Sequence, residues 1–258
     1  MINILHLYYD LLNLYGENAN TRCLYNELKR NGIKVNVDLR SINEQINFDK
    51  YDIVYIGSGS EDNLFLALSD IMKRKDDIKK YIENNGYLIL TGNSMDLFGK
   101  YIINNDEKID ALGIFDYHTK LINEKIFSNA SGYRIVGEVV GTSEYIKDKI
   151  IGFQNRCDLV YDIKSPLFKV NKEYSNDYES DGDGYHYKNV YATHIIGPLL
   201  IRNPYFTDYL LNKICKERNL KYKKEESSAK KAYKKYLEIY ENKISNYKIL
   251  VEKDISFI

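Results

Sequence analysis

Cysteine is scarce in this 258-residue chain: Cys23, Cys157 and Cys215 lie far apart, with no CxxC pair. That spacing excludes a disulfide framework and a cysteine-built structural zinc site. Net charge is missing too, since 37 Lys and Arg balance 37 Asp and Glu. No overall field draws the protein to nucleic acid or to an anionic membrane. Long apolar runs are absent, and the start Met1-Ile-Asn-Ile-Leu-His6 lacks a basic segment followed by a long apolar one. A bilayer span needs about 20 apolar residues, so no span is expected and the location expected is cytoplasmic. Tryptophan is absent beside 25 tyrosines, a skew without functional meaning.

What is present is a globular composition, 44% hydrophobic and 29% charged, in a chain long enough to bury a sizeable core. Aliphatic and β-branched runs alternate with helical patterns, which predicts a doubly wound α/β fold: a mostly parallel sheet flanked by helices. Asn3 to Leu7, Val35 to Leu39, Asp52 to Ile56 and Leu88 to Leu90 read as its strands. Asn20 to Gly32 reads as an amphipathic helix with an Asn-Gly stop, and Asn63 to Asn85 as one or two more. A further helix is expected from Ser94 to Gly99.

Beyond residue 100 the strands shorten: Ile109 to Lys120, Tyr133 to Val140, Ile150 to Phe153 and Val190 to His194. Asn176 to Gly184 is acidic and reads as a solvated surface loop. It lacks the spacing and terminal Glu of an EF-hand, so no calcium is assigned to it. Pro204 to Lys216 reads as a helix with one apolar face. The Lys/Glu-rich stretch that follows predicts a helical extension over 216–258, beyond a main domain of 1–215. No metal or other cofactor is called for.

Ligands of open α/β sheets sit at the carboxyl ends of the strands, and three such segments carry candidate chemistry. Gly57-Ser-Gly-Ser60 ends a strand in small residues whose amides could hold an oxyanion. Gly86-Tyr-Leu-Ile-Leu-Thr-Gly-Asn-Ser-Met-Asp-Leu-Phe-Gly99 joins strand to helix through a sharp turn, a layout that exposes a nucleophile. The third is Tyr191-Ala-Thr-His-Ile-Ile-Gly-Pro-Leu-Leu-Ile-Arg-Asn-Pro204. Together with Leu5-His-Leu-Tyr-Tyr-Asp-Leu-Leu-Asn-Leu-Tyr-Gly16, Gly113-Ile-Phe and Tyr133-Arg-Ile-Val-Gly137, these segments resemble the class I glutamine amidotransferases of the cobyric-acid-synthase-like group. Within that group the likeness is to the glutaminase subunits of lipid II isoglutaminyl synthases. The resemblance covers residues 1 to about 215.

It implies a glutaminase fold whose partner is a Mur-ligase-like subunit in peptidoglycan amidation. It also implies a loss. The family's elbow reads Cys-Gly-Gly-aromatic-Gln-Leu-Leu-Gly, which sets Gly92 under the cysteine and Asn93 and Ser94 under the glycines. Its catalytic histidine directly precedes Gly-Pro-Leu-Leu, where this chain has Ile196. A thioester mechanism needs a thiolate and a base, and glycine and isoleucine supply neither. The resemblance also places Arg134 where the family holds a substrate carboxylate, so glutamine or another small carboxylate is a candidate ligand with Gly57, Ser58, Gly59 and Asn93 around it.

Two readings follow. In the first the chain has lost glutaminase chemistry and serves as a binding or scaffold subunit. In the second it remains an active amidotransferase or hydrolase, with Ser94 or Cys157 as nucleophile, His194 as base, and the Gly57 to Gly59 amides with Asn93 as oxyanion donors.

Overall fold

The computed structural model describes residues 1–122 and 134–255, with side chains through residue 241. Tyr133, one of the sequence landmarks, lies outside the described residues. In chain order the first half runs β1 (Ile2–Leu7), α1 (Asn18–Arg30), β2 (Val35–Arg40), β3 (Ile53–Ile56), α2 (Glu61–Ile71), α3 (Lys75–Glu83) and β4 (Tyr87–Thr91). The second half adds β5 (Tyr101–Asn104), β6 (Glu107–Asp110), β7 (His118–Leu121), β8 (Ile135–Gly141), β9 (Ile150–Arg156) and β10 (Asp158–Tyr161). It continues with β11 (Phe168–Lys169), β12 (Gly182–Asp183), β13 (Tyr185–Tyr187), β14 (Val190–Thr193), α4 (Leu199–Arg202), α5 (Pro204–Glu217) and α6 (Ser228–Ile255).

Six strands form the main sheet in the order β13-β14-β4-β3-β1-β2, parallel except for the edge pair β13 and β14. The runs Ile-Val-Tyr-Ile of β3 and Tyr-Leu-Ile-Leu-Thr of β4 are buried along their whole length. Such near-continuous apolar strands mark a parallel sheet covered on both faces. Successive side chains alternate between two cores, as the pleat dictates. Val54, Ile56, Leu88 and Leu90 pack with Leu64, Leu68, Ile78 and Ile82 of α2 and α3. Ile53, Tyr55, Tyr87 and Ile89 pack on the opposite face with Leu24 and Leu28 of α1 and Phe206 and Leu210 of α5.

A smaller sheet, β10-β7-β5-β6, and the hairpin β8-β9 are separate from the main sheet. A bridge between Phe153 and Ile196 ties that hairpin to the segment leaving β14. The expected strand from Ile109 to Lys120 is split between β6 and β7, because Gly113 turns the chain at φ +59. The expected helix after β4 is a tight 3-10 segment, Gly92–Phe98, with all seven residues buried. An α-helix with no solvated face has little room in a crowded junction, and the shorter coil fits.

The acidic loop also departs from its reading as a solvated turn. Asn176 and Asp183 are buried, and Asp183 lies in β12. Its charge pairs inward with His194. Among the described residues, no helix is long and apolar enough to cross a membrane.

The C-terminal helix α6 docks on the domain. Tyr233 donates a hydrogen bond to the Lys149 carbonyl at 2.6 Å, and its ring meets Tyr205 edge-on at 5.4 Å. Lys230 Nζ lies 2.8 Å from Asp208 Oδ2, and both side chains are more than nine-tenths buried. Removing one partner of such a pair strands the other charge away from water. Lys230→Ala should therefore lower unfolding free energy by about 3 kcal/mol in chemical denaturation, whereas the double change Lys230→Met with Asp208→Asn should lower it less. Equal losses in the two variants would show that the pair does not anchor the helix.

Candidate functional site

The turn after β4 is set by one dihedral. Gly92 adopts φ +62, a left-handed conformation that costs an L-residue roughly 1–2 kcal/mol and glycine almost nothing. A β-carbon built at residue 92 would overlap Oγ and Cβ of Ser58 and lie 3.2 Å from Cγ2 of Ile196. Positions 92 and 196 thus face each other across the turn, with the Ser58 side chain filling the space between strand ends. Ile196 itself is buried and fixed by its backbone, donating to the Phe153 carbonyl at 2.8 Å.

Asn93 closes the neighbouring loop. Its Oδ1 accepts from the Gly59 amide at 3.0 Å and from the Ser58 hydroxyl at 3.2 Å, while Nδ2 donates to the Gly59 carbonyl at 2.9 Å. The sequence had Gly59 and Asn93 as joint oxyanion donors. Here they satisfy each other. Gly57 is glycine for a steric reason, since a β-carbon there would strike the Leu12 carbonyl and Cβ of Glu17.

Ser94, Cys157, Arg134 and His194, the other candidates, are engaged in contacts of their own. Ser94 is buried, and its hydroxyl faces the carbonyls of Ile56 at 3.1 Å and Thr91 at 3.0 Å. It stitches the turn to two strands, so it is not an exposed nucleophile. Cys157 donates its thiol hydrogen to Glu61 Oε1 at 2.9 Å, and burial, with Asp158 and Glu61 nearby, pushes its pKa far above the usual thiol range. A thiol held protonated is a poor nucleophile. Arg134 is brought to the same carboxylate: its guanidinium lies 2.8 Å from Glu61 Oε1 and donates to Oδ1 and the carbonyl of Asn155 at 2.6 and 3.1 Å. Glu61, at the start of α2, takes one nitrogen of the fork that a ligand carboxylate would use, and Asn155 takes the other two.

His194 belongs to a different cluster, behind the turn. Its Nδ1 lies 2.9 Å from Asp183 Oδ1 and its Nε2 3.3 Å from Asp158 Oδ1. Asp96 completes the group: its carboxylate, that of Asp158 and the His194 ring nitrogen fall within 4.8 Å of one another, all buried. Arg156 bonds to Asp158 Oδ1 at 2.9 Å and to the Gln154 side chain at 3.1 Å. Burial and Arg156 act to lower the His194 pKa, but Asp158 and Asp183 prevail and lift it to about 9. Burial, reinforced by Asp158, pushes the Asp96 carboxyl well above the usual range. A histidine so enclosed is no base for chemistry at residue 92. Among the described residues this is also the one cluster of His, Cys, Asp and Glu with the spacing of metal ligands.

Sequence reasoning missed Glu17. Its carboxylate sits beneath the turn, accepting from the Tyr55 hydroxyl at 2.8 Å, the Thr91 hydroxyl and the Gly197 amide at 3.4 Å. It links the three strand-end segments from below. The signal was a charged residue inside the Leu5 to Gly16 landmark's continuation, next to Asn20, which itself bonds Tyr55 at 2.8 Å. Burial raises the Glu17 pKa from 4.5 to about 7, against the lowering effect of its hydrogen bonds.

That shift predicts a pH dependence. Folded Glu17 keeps its proton up to about pH 7, while in the unfolded chain it releases it near 4.5. Between those values folding takes up a proton, so this contribution is full below 4.5 and is lost as pH rises through 7. The loss amounts to about 3 kcal/mol at about 1.4 kcal/mol per unit. Glu17→Gln should flatten this descent, so that the stability difference from wild type shifts in the variant's favour between pH 4.5 and 8. Denaturation at a series of pH values reads it directly, and parallel curves would place the proton on another group.

Comparison with known proteins gives the family. Residues 3–204 match the CobB/CobQ-like glutamine amidotransferase domain. The subunit GatD of the glutamine-hydrolyzing lipid II isoglutaminyl synthase of Staphylococcus aureus (strain N315) is 33% identical over 226 residues, covering 87% of this chain and 89% of that protein. The corresponding subunit of Streptococcus pneumoniae (strain ATCC BAA-255 / R6) is 30% identical over 205 residues, covering 78% and 76%. A crystal structure of a glutamine amidotransferase overlaps 84% of this chain and 99% of its own at a TM-score of 0.48 and 13% identity. By its matched domain and these two relatives, the chain belongs to the CobB/CobQ-like glutamine amidotransferase family.

Proposed function

We propose that this protein is an amidotransferase-fold subunit of the isoglutaminyl-synthase type that does not hydrolyse glutamine and acts as a binding or scaffold partner. The observation that carries the reading is the shared volume at the turn. The Ser58 side chain occupies the space that any side chain at residue 92 would need, and Ile196 faces it. A cysteine nucleophile requires that space and a base across from it. Two more features support the same reading. The Gly59 amide is spent on Asn93, and the Arg134 guanidinium on Glu61 and Asn155.

The relatives are subunits by name, acting in lipid II amidation. By that likeness the partner is a Mur-ligase-like subunit, the process is peptidoglycan amidation and the setting is cytoplasmic. We read residues 1–215 as the amidotransferase-like unit and the Lys/Glu-rich stretch beyond it as an extension, a division supported by the packing of α6 (Ser228–Ile255) against α5. A ligand, if the family pocket keeps one, is a small carboxylate competing with Glu61 for Arg134.

Ammonia release from glutamine tests this, with the purified protein alone and with a Mur-ligase-like partner. Neither should exceed background, and the two proteins should co-purify. Turnover that His194→Ala abolishes would overturn the proposal. Restoring the missing pair should also fail: Gly92→Cys with Ile196→His should stay silent and lose about 1–3 kcal/mol of stability through overpacking and the left-handed turn. Adding Ser58→Gly should recover part of that loss, because it vacates the contested volume.

A further inference from the structure

We infer that Asp96, Asp158 and His194 form a structural site for a divalent transition-metal ion such as zinc, set behind the turn and separate from the position of glutamine chemistry. Three donor atoms converge: one carboxylate oxygen each from Asp96 and Asp158, and a ring nitrogen of His194, all within 4.8 Å of one another. All three residues are at least 99% buried. They arrive from three separate segments: Asp96 from the 3-10 turn, Asp158 from β10 and His194 from the end of β14.

The two outer residues share one arrangement, with a rear atom tied and a front atom left over. Asp96 Oδ1 accepts from the Thr119 hydroxyl at 2.9 Å, while Oδ2 has no hydrogen-bond partner among the described residues. His194 Nδ1 is held by Asp183 Oδ1 at 2.9 Å, while Nε2 makes no hydrogen bond of acceptable geometry among them. Asp183 is itself fixed by the Gln154 amide at 2.9 Å and by the Thr193 hydroxyl. A carboxylate that orients the far nitrogen of a histidine is the usual support of a metal ligand. The 3.3 Å between His194 Nε2 and Asp158 Oδ1 is also the edge, about 3.3 Å, of a tetrahedron with bonds of about 2.0–2.1 Å.

Charge reaches the same result. With all three carboxylates ionised, as metal ligation and support require, Asp96, Asp158 and Asp183 carry three negative charges against one positive on Arg156, which leaves two to neutralise in a dry interior. One divalent ion does so while His194 stays neutral and free to ligate. Buried unbalanced carboxylates are otherwise too costly to keep ionised. An imidazole among carboxylates suits zinc and its neighbours better than calcium or magnesium, which prefer oxygen alone. Arg156 holds Asp158 Oδ1 from one side at 2.9 Å, leaving the other lone pairs of that carboxylate for the ion. The ion would staple the turn, β10 and the end of β14 together.

The alternative neutraliser is a pair of protons, one on His194 and one on Asp96, and the experiment separates the two. The full chain is unfolded with chelator and refolded with zinc, with cobalt(II), or with chelator present throughout. Mass spectrometry of metals should find about one zinc per chain after desalting, and the cobalt form should show visible d–d absorption. Asp96→Asn keeps the shape of the residue and mimics its protonated form. It should lower zinc affinity at least tenfold and abolish the cobalt bands. No retained zinc, no cobalt bands and unfolding curves identical with zinc and with chelator would overturn the proposal. So would cobalt bands that persist unchanged in Asp96→Asn, because they would belong to another site.

Discussion

The left-handed backbone of Gly92 is the constraint on which the rest of this structure hangs. A central parallel strand, β4, ends there with a neighbour on each side, and the chain must leave the sheet without striking either. The tight coil that follows sends consecutive side chains in different directions. Residue 92 faces Ile196, Asn93 reaches the Gly57 to Gly59 loop, Ser94 turns back to the strand carbonyls, and Asp96 enters the cluster behind. One dihedral thus fixes four separate contacts. A change at any of these residues is felt by packing before it is felt by chemistry, since all are buried.

The sheet was legible because its signal is carried by composition alone. Ile53 to Ile56 and Tyr87 to Leu90 have no polar alternation, and such runs can only be covered on both faces. Turns such as those at Gly32, Gly92 and Gly113 follow from where the glycines fall. The helix expected from Ser94 failed for the opposite reason: its apolar residues have no solvated face, so the pattern that separates one helix type from another is missing. The acidic loop failed because charge was taken for exposure. Asp183 is charged and buried at once, which requires a partner 11 residues away, and nothing in the local sequence names His194 as that partner.

The partners of the candidate site residues were not legible. Positions 92 and 196 were named by the family resemblance, and the structure puts a β-carbon at 92 3.2 Å from Cγ2 of Ile196. Which side chain fills the gap between them does not follow, because Ser58 could as well have pointed at solvent. Arg134 shows the same limit. An arginine at a family position reads as a free fork, yet Glu61 begins the helix opposite and meets it at 2.8 Å. Glu17 is harder still, since its role appears only when Tyr55, Thr91 and Gly197 are brought over it by separate strands.

The proposed retention of the fold without glutaminase chemistry has a physical logic in these contacts. Residue 92 and residue 58 draw on one volume, so a side chain can stand at either but not at both. With glycine at 92, a hydroxyl at 58 fills what would otherwise be a void beside Ile196, and cavities in such junctions are costly. Asn93 then gives the Gly59 amide and carbonyl the partners that an occupied pocket would supply. Ser58 and Asn93 thus fill and satisfy the space around the turn. The turn is held by packing and hydrogen bonds on one side and carries Asp96 into the cluster with Asp158 and His194 on the other. A rigid, self-satisfied turn suits a surface that another protein reads better than a pocket that must open to a substrate.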